Sequence, residues 1–219
     1  MTKWQEFIEL IGANRFRTNE LAKLYIEVEK LDYLINIVNQ AKGHNIPYYL
    51  IGAGTWPTIP KSQIDGLLIK NNCRSFNVYA MSGKMKEGQM GIDYKLVYAE
   101  SGTIITQLVR FTIEEGLGGL EYHLGMPGTI GGAIFTNAKY APKIIFISDF
   151  VEKLKILNKE GEIEEVDPYY FISRPHSEFF PANEIILSAI FRLKPEDKKV
   201  LWARSREASE YRANLVKNI

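Results

Sequence analysis

Three stretches of this 219-residue sequence hold residues whose types and spacing suit chemistry. In the first, LIGAGTWPTIP from Leu50 to Pro60, Gly52 and Gly54 stand directly behind an apolar run. The successive N–H groups of such a turn, through Gly52, Ala53 and Gly54, make a nest for an anion, with the Thr55 hydroxyl as a further donor and Trp56 next in line. A pyrophosphate suits that shape. A dinucleotide fingerprint needs a third glycine and an immediate helix, where Pro57 and Pro60 stand instead, and no Gly-Lys-Ser/Thr follows for a Walker loop. Taken alone, a plain strand-end turn explains the two glycines as well as a phosphate loop does.

The second stretch, GGLEYHLGMPGTIGGAIFTNA from Gly118 to Ala138, holds six glycines and a proline. Glycine loses more backbone freedom on folding than any other residue, so the cluster needs a reason such as positive φ angles or close approach to another group. It holds too many glycines for a helix or strand interior and lacks the acidic residues of a calcium loop. Gly125, Gly128, Gly131 and Gly132 frame Met126, Pro127, Thr129 and Ile130 so that backbone can approach a flat ligand, and Asn137 adds an amide donor and acceptor. A glycine-rich crossover packed on the preceding helix is the alternative.

In the third stretch, FISRPHSEFF, Arg174 offers a planar set of donors suited to a carboxylate and to developing oxyanion charge; a surface salt bridge is the plainer role. His123 and His176 have no second histidine or carboxylate at ligand spacing, so no metal site is expected, and His176 reads as a polar pocket-wall or surface residue. The single cysteine, Cys73, excludes an internal disulfide and reads as a small half-buried apolar residue.

Elements with a definite period must position these stretches. KLYIEV, Lys23 to Val28, alternates like a strand, and LDYLINIVNQAKG puts Leu31, Leu34, Ile35, Val38 and Ala41 on one helical face that ends at Gly43. IPYYLIGAG then reads as a second strand, completing a β-α-β unit that leads into Gly52. Strand-like runs follow at GLLIK from Gly66 and FNVYAM from Phe76, and the polar SGKMKEGQMGIDYK is expected to loop before the strand LVYAES. A second helix is expected with Thr103 as N-cap, Ile105, Leu108, Val109 and Thr112 inward, and Gly116 as its stop. FVEKLKILNKEGEIEEVD predicts a hairpin turning at Asn158 to Gly161, EIILSAIFRLK an apolar strand, and the segment from Pro195 a charged helix. Strands mixed with helices without regular alternation predict an α+β fold.

Composition narrows the partners. The 27 basic and 26 acidic side chains nearly cancel, so no net field recruits nucleic acid or an anionic membrane, and a small partner is expected. MTKWQEFIELIGANRFR carries charges inside its apolar stretch, which predicts no signal-peptide core, and no later run suits a bilayer span; a cytoplasmic protein is the expectation.

Two glycine loops far apart in sequence are best explained together by one large phosphate-bearing cofactor. IGAGT behind a strand, then GLGGLEYHLGMPGTIGGAIFTNA, FISRPHSEFF and EIILSAIFRLK in this order, resemble the UDP-N-acetylenolpyruvoylglucosamine reductase (UDP-N-acetylmuramate dehydrogenase) family over nearly the whole chain. The long glycine-rich stretch is the most specific element. The resemblance implies an FAD-binding fold of the vanillyl-alcohol-oxidase (PCMH) type with two α/β subdomains, here residues 1–72 and 73–195, followed by the charged helix 196–219. It implies that Gly52, Ala53, Gly54 and Thr55, with Trp56 beside them, hold the FAD pyrophosphate. Gly125, Pro127, Gly128, Thr129 and Gly132 would line the flavin and its ribityl chain, with Asn137 near the flavin. In the family NADPH reduces the flavin, which passes a hydride to the enolpyruvyl double bond of a UDP-sugar to give a peptidoglycan precursor. Arg174 matches the arginine that stabilises the resulting enolate.

The chain departs from the family pattern in several places. Thr55 replaces a serine and Trp56 an asparagine, NAKYAP is shorter than the family's Asn-Ile-Gly-Ala-Tyr-Gly, and Tyr140 is left to supply the aromatic. Ser173 replaces the tyrosine before Arg174, with one extra residue before Ser177. The family continues into a third domain carrying the serine that protonates the substrate and an assisting glutamate. Ile219 comes before both, so the expectation is a chain without that domain or one completed by a partner chain.

Overall fold

The computed structural model describes residues 17–19, 22–54, 64–86, 89–172 and 184–217. The first sheet holds β1 (Arg17–Asn19), β2 (Ala22–Val28), β3 (Tyr48–Ile51) and β4 (Ile64–Asn71), in the order β1-β2-β4-β3. Strands β2 and β3 both run parallel to β4, which lies between them, and helix α1 (Leu31–Gly43) makes the crossover. The expected β-α-β unit is therefore present with a later strand inserted into it. Alternation along β2 buries Ala22, Leu24, Ile26 and Val28, whereas the central β4 buries Leu67, Leu68 and Ile69 in succession because both its faces are covered.

The second unit begins with β5 (Phe76–Lys86) and β6 (Gln89–Glu100), then α2 (Ile105–Glu114), β7 (Leu117–Gly118) and α3 (Ile130–Phe135). A small ribbon, β8 (Lys139–Tyr140) with β9 (Ile145–Phe146), precedes β10 (Val151–Leu157) and β11 (Ile163–Val166). The one-turn α4 (Tyr169–Ile172), β12 (Ile185–Pro195) and α5 (Lys198–Lys217) complete it. The sheet order β11-β10-β12-β6-β5 is antiparallel throughout, and α2 and α3 bury Ile105, Leu108, Ile113, Ile130 and Ile134 against Val97, Leu154 and Phe191 of its strands.

Helix α1 joins the two units. Its buried residues Leu34, Ile37, Val38 and Ala41 share one cluster with first-sheet residues and with Leu157, Ile185 and Leu187 of the second sheet. That two-sided packing widens the buried stripe to include Ile37, which the single face drawn from sequence leaves out, while Leu31 and Ile35 only flank it. Lys42 donates to the carbonyls of Asn158 (2.8 Å) and Lys159 (3.2 Å), at the tip of the β10–β11 hairpin.

Four expectations are corrected. The polar segment Ser82–Lys95 is not a loop: β5 pairs with β6 from Phe76↔Ala99 out to Lys86↔Gln89. Tyr79, Met81 and Ile92 of this hairpin are exposed, so neither face had to be apolar, and the period-2 signal is erased. Thr103 does not cap α2; the N-cap is Ile104, without a side-chain bond, and Thr103 is instead fully buried. A helix, α3, forms inside the glycine-rich stretch. Cys73 is fully buried rather than half-buried, and burial, with the Glu100 charge, pushes its thiol up to about 12, so it is no nucleophile. Among the described residues, no helix is long and apolar enough to cross a membrane.

Candidate functional site

The two glycine loops meet. A methyl group added at Gly52, at the end of β3, would fall 2.5 Å from Thr129 Oγ1 and 2.9 Å from its Cγ2. The bend continues through exposed Ala53 to exposed Gly54, whose φ of +70° is one that only glycine adopts without strain. Residues 77 positions apart in sequence thus come into contact, and the two loops frame the candidate site.

The second wall hangs on the β6–α2 turn. Ile130 N donates to Thr103 O and Gly131 N to Ser101 O, both at 2.8 Å, while Ile105 N donates to Gly128 O at 3.2 Å. Gly131 needs to be glycine for packing, since a Cβ there would lie 2.9 Å from that of Ser101. Thr129 is the N-cap of α3, accepting from Gly132 N at 3.4 Å. Asn137 ends the same helix with φ of +44°, a left-handed stop that asparagine tolerates, and Ala138 N closes on Ala133 O at 2.8 Å. Local helix chemistry therefore explains Asn137 in part, but its Oδ1 is buried without a hydrogen-bond partner, as is Thr103 Oγ1. An unmet buried acceptor costs roughly 1–3 kcal/mol, and of the two only Asn137 belongs to a residue that is not fully buried.

Of the residues singled out from sequence, Gly52, Ala53, Gly54, Gly128, Thr129, Gly132 and Asn137 fall on these two loops and on α3. Pro127 is exposed beside them. Gly125 is turned the other way, its missing side chain facing Ser209 of α5, with Oγ at 3.3 Å. Thr55, Trp56, Arg174 and His176 lie outside the described residues.

Sequence reasoning missed the hub under the cleft. Asn71 Nδ2 donates to Ser101 Oγ at 2.8 Å and Asn71 Oδ1 accepts from Cys73 N at 3.0 Å, while Ser101 N donates to Leu187 O at 2.9 Å. First sheet, second sheet and glycine wall are all bonded to one serine. Its signal was the Ser-Gly-Thr between a strand and a helix, which resembles a tight turn. In a separate cavity of about 450 Å³ beside β7 and α5, Arg204 pairs with Glu121 (3.1 Å) and Glu196 (3.6 Å), and Arg192 with Glu152.

His123 supports the rear of the glycine wall. It is fully buried; Nε2 donates to Ala138 O at 3.3 Å, and Nδ1 has no partner. Burial holds its pKa down at about 4, against 6.5 ordinarily. The unfolded chain takes this proton near pH 6.5 and the folded one resists to about 4. The stabilisation is therefore complete above pH 6.5 and is lost as the pH falls to about 4, amounting to about 3 kcal/mol at about 1.36 kcal/mol per unit. His123→Gln removes that component, so urea-unfolding free energies of the two proteins should differ in pH slope by this amount between pH 7 and 4; equal slopes would refute a neutral buried ring.

Comparison with known proteins places this geometry. The model of a family described as "FAD binding domain" matches residues 22–167, which include both loops and the hub between them. The chain belongs to the FAD-binding domain family. Its α+β architecture is an FAD-binding fold of the vanillyl-alcohol-oxidase type. The UDP-N-acetylenolpyruvylglucosamine reductase of Thermus caldophilus superposes with a TM-score of 0.63 at 19% identity, over 87% of this chain and 62% of that one. A VAO-type flavoprotein of Myceliophthora thermophila superposes with a TM-score of 0.52 at 15% identity, over 82% and 33%. In sequence, the chain is 27% identical over 234 aligned positions to the UDP-N-acetylenolpyruvoylglucosamine reductase of Clostridium tetani, covering 97% of this chain and 70% of the relative. The Clostridium novyi enzyme of that name is 27% identical over 195 residues, covering 86% and 57%. The chain thus spans between 57% and 70% of the length of these two curated relatives.

Proposed function

We propose that this chain binds FAD across the Gly52–Thr129 contact and acts as an NADPH-dependent flavin reductase on an enolpyruvyl UDP-sugar, in the cytoplasmic synthesis of a peptidoglycan precursor. The observation that carries the FAD half is the convergence of the two glycine loops on one cleft. The residues fit the cofactor: the Gly52–Gly54 bend presents backbone with open space at Gly54 for a pyrophosphate, and Gly132 leaves the start of α3 bare for a flat ring. Asn137 Oδ1 supplies a polar atom in want of a partner. Likeness to reductases over most of the chain supports the substrate half.

In this reading Gly52, Ala53, Gly54 and Thr55 bind the pyrophosphate through N–H groups, with Trp56 beside it. Gly128, Thr129 and Gly132 shape the flavin wall, Pro127 stiffens it, and Gly125 gives it its turn. Bound FAD supplies the capacity to accept a hydride from NADPH and deliver it to carbon. Arg174 holds the substrate carboxylate and stabilises negative charge developing on its oxygen, because a guanidinium stays charged and donates in one plane. Residues 1–72 and 73–195 act as the two halves of the cofactor clamp, and 196–219 as a helix behind it.

The visible spectrum of the protein purified after flavin supplementation is the test. A flavin band that survives desalting is expected, and NADPH oxidation should rise when the enolpyruvyl UDP-sugar is added. A colourless protein that takes up no FAD would defeat the reading. The family match, which is to an FAD-binding domain, favours a second one, a flavin-binding module that works with a partner chain; bound FAD without substrate-dependent turnover would select it.

A further inference from the structure

Arg212 of α5 is a half-buried cation that the proposed cofactor site does not use. Its Nη1 donates to Leu124 O at 2.7 Å and to Ala208 O of its own helix at 3.3 Å, and its Nη2 donates to Tyr122 O at 2.7 Å. The guanidinium lies 5.5 Å from the ring centre of Tyr140, which stacks on Tyr122 at 5.1 Å and meets Tyr211 edge-on. Among the described residues it forms no ion pair: Glu207 goes to Lys143 at 3.0 Å and Glu121 to Arg204 at 3.1 Å. Burial pushes its pKa down.

Even half-burying a cation without a counter-ion costs desolvation that its hydrogen bonds must offset. What the guanidinium adds is a fork that holds two carbonyls two residues apart at a fixed distance. Those carbonyls belong to the middle of the turn Glu121–His123 and to the residue that ends it. The next residue is Gly125, with φ of +79°, lying against Ser209 of the same helix, and the chain then runs directly to Thr129 at the contact with Gly52.

We propose that Arg212 is a positioning residue that sets the angle at which the Gly125–Thr129 segment reaches the FAD cleft, by clamping the carbonyls of Tyr122 and Leu124. The proposal rests on the FAD reading above. Lysine at 212 keeps the charge but cannot span both carbonyls with one planar group.

The test uses the full chain, with Arg212→Met and Arg212→Lys, and with Arg206→Met, an exposed arginine of the same helix, as control. FAD titration is expected to show a Kd raised at least about tenfold in Arg212→Met, because each charge-assisted hydrogen bond lost is worth about that factor. Arg212→Lys should recover part of it, and Arg206→Met should match the parent. At saturation the visible circular dichroism of the bound flavin should differ from the parent in Arg212→Met, a change that lower stability alone does not produce. Unaltered Kd and dichroism in a folded Arg212→Met chain would overturn the clamp. Should that variant not fold, hydrogen exchange of the Leu124, Gly125, Met126 and Gly128 amides in Arg212→Lys decides: faster exchange there with β10 and β12 unchanged supports the clamp, and parental rates overturn it. The exchange readout holds even if the parent takes up no FAD, so failure of the cofactor reading is told apart from failure of the clamp.

Discussion

Alanine in place of Gly52 is expected to lower FAD affinity about tenfold to a hundredfold and to cost roughly 1–3 kcal/mol of stability. The new methyl would lie 2.5 Å from Thr129 Oγ1, a separation that no relaxed contact tolerates. Thr129 has little room to give, being 5% exposed, and rotating its hydroxyl away abandons the cap on Gly132 N. The two loops must therefore separate, and a cofactor bridging both loses contact with one of them. Gly132→Ala makes the paired measurement. A Cβ there meets only Thr129 Oγ1 at 3.6 Å, ordinary contact, and alanine in a helix is worth up to about 1 kcal/mol over glycine. Stability should hold or rise while FAD affinity falls at least about tenfold, because the methyl projects where the flavin approaches. Calorimetric titration with FAD alongside thermal unfolding measures both signs; a Gly132→Ala protein with parental affinity would place the flavin elsewhere.

The largest loss of stability is expected from Gly102→Ala, about 3 kcal/mol or more, lowering Tm by roughly 6–12 °C for a chain of this size. Its Cβ would sit 2.5 Å from Cys73 O, 2.7 Å from Cys73 N and 2.8 Å from Asn71 O. All three are backbone atoms, so no rotamer change relieves the clash. The same residues carry the hydrogen bonds that join the first sheet to Ser101, and through Ser101 to Leu187 and Gly131. A shift there also disturbs the glycine wall, so scanning calorimetry should show the loss with and without FAD. Parental Tm in Gly102→Ala would mean that the link between the sheets yields freely, against the role of Ser101 as their common hub.

Periodic segments were legible in the sequence because burial on one side writes itself into residue type. Helix α2 shows this, with Leu108, Val109 and Thr112 inward and Gly116 at φ of +66° closing it. The β5–β6 hairpin was illegible for the opposite reason, since consecutive residues Tyr79, Ala80 and Met81 are all exposed and no apolar alternation was required. Helix α3 was hidden because glycine reads as a helix breaker. Gly131 stands there for the close approach of Ser101, a tertiary cause invisible to local propensity. The same limit applies to Gly125: the sequence marked it as special, but its nearest neighbour is a helix and not the cleft.

The sequence by itself determined the α+β class, the two glycine loops and the family they resemble, because glycine placement and hydrophobic period are local properties of the chain. Only the tertiary structure decided that Gly52 touches Thr129, that Ser101 joins both sheets to the glycine wall, and that Arg212 reaches from the last helix to Tyr122 and Leu124. Those are contacts between residues 30 to 90 positions apart, set by strand order and helix packing, and no local pattern encodes which distant partner a residue will meet.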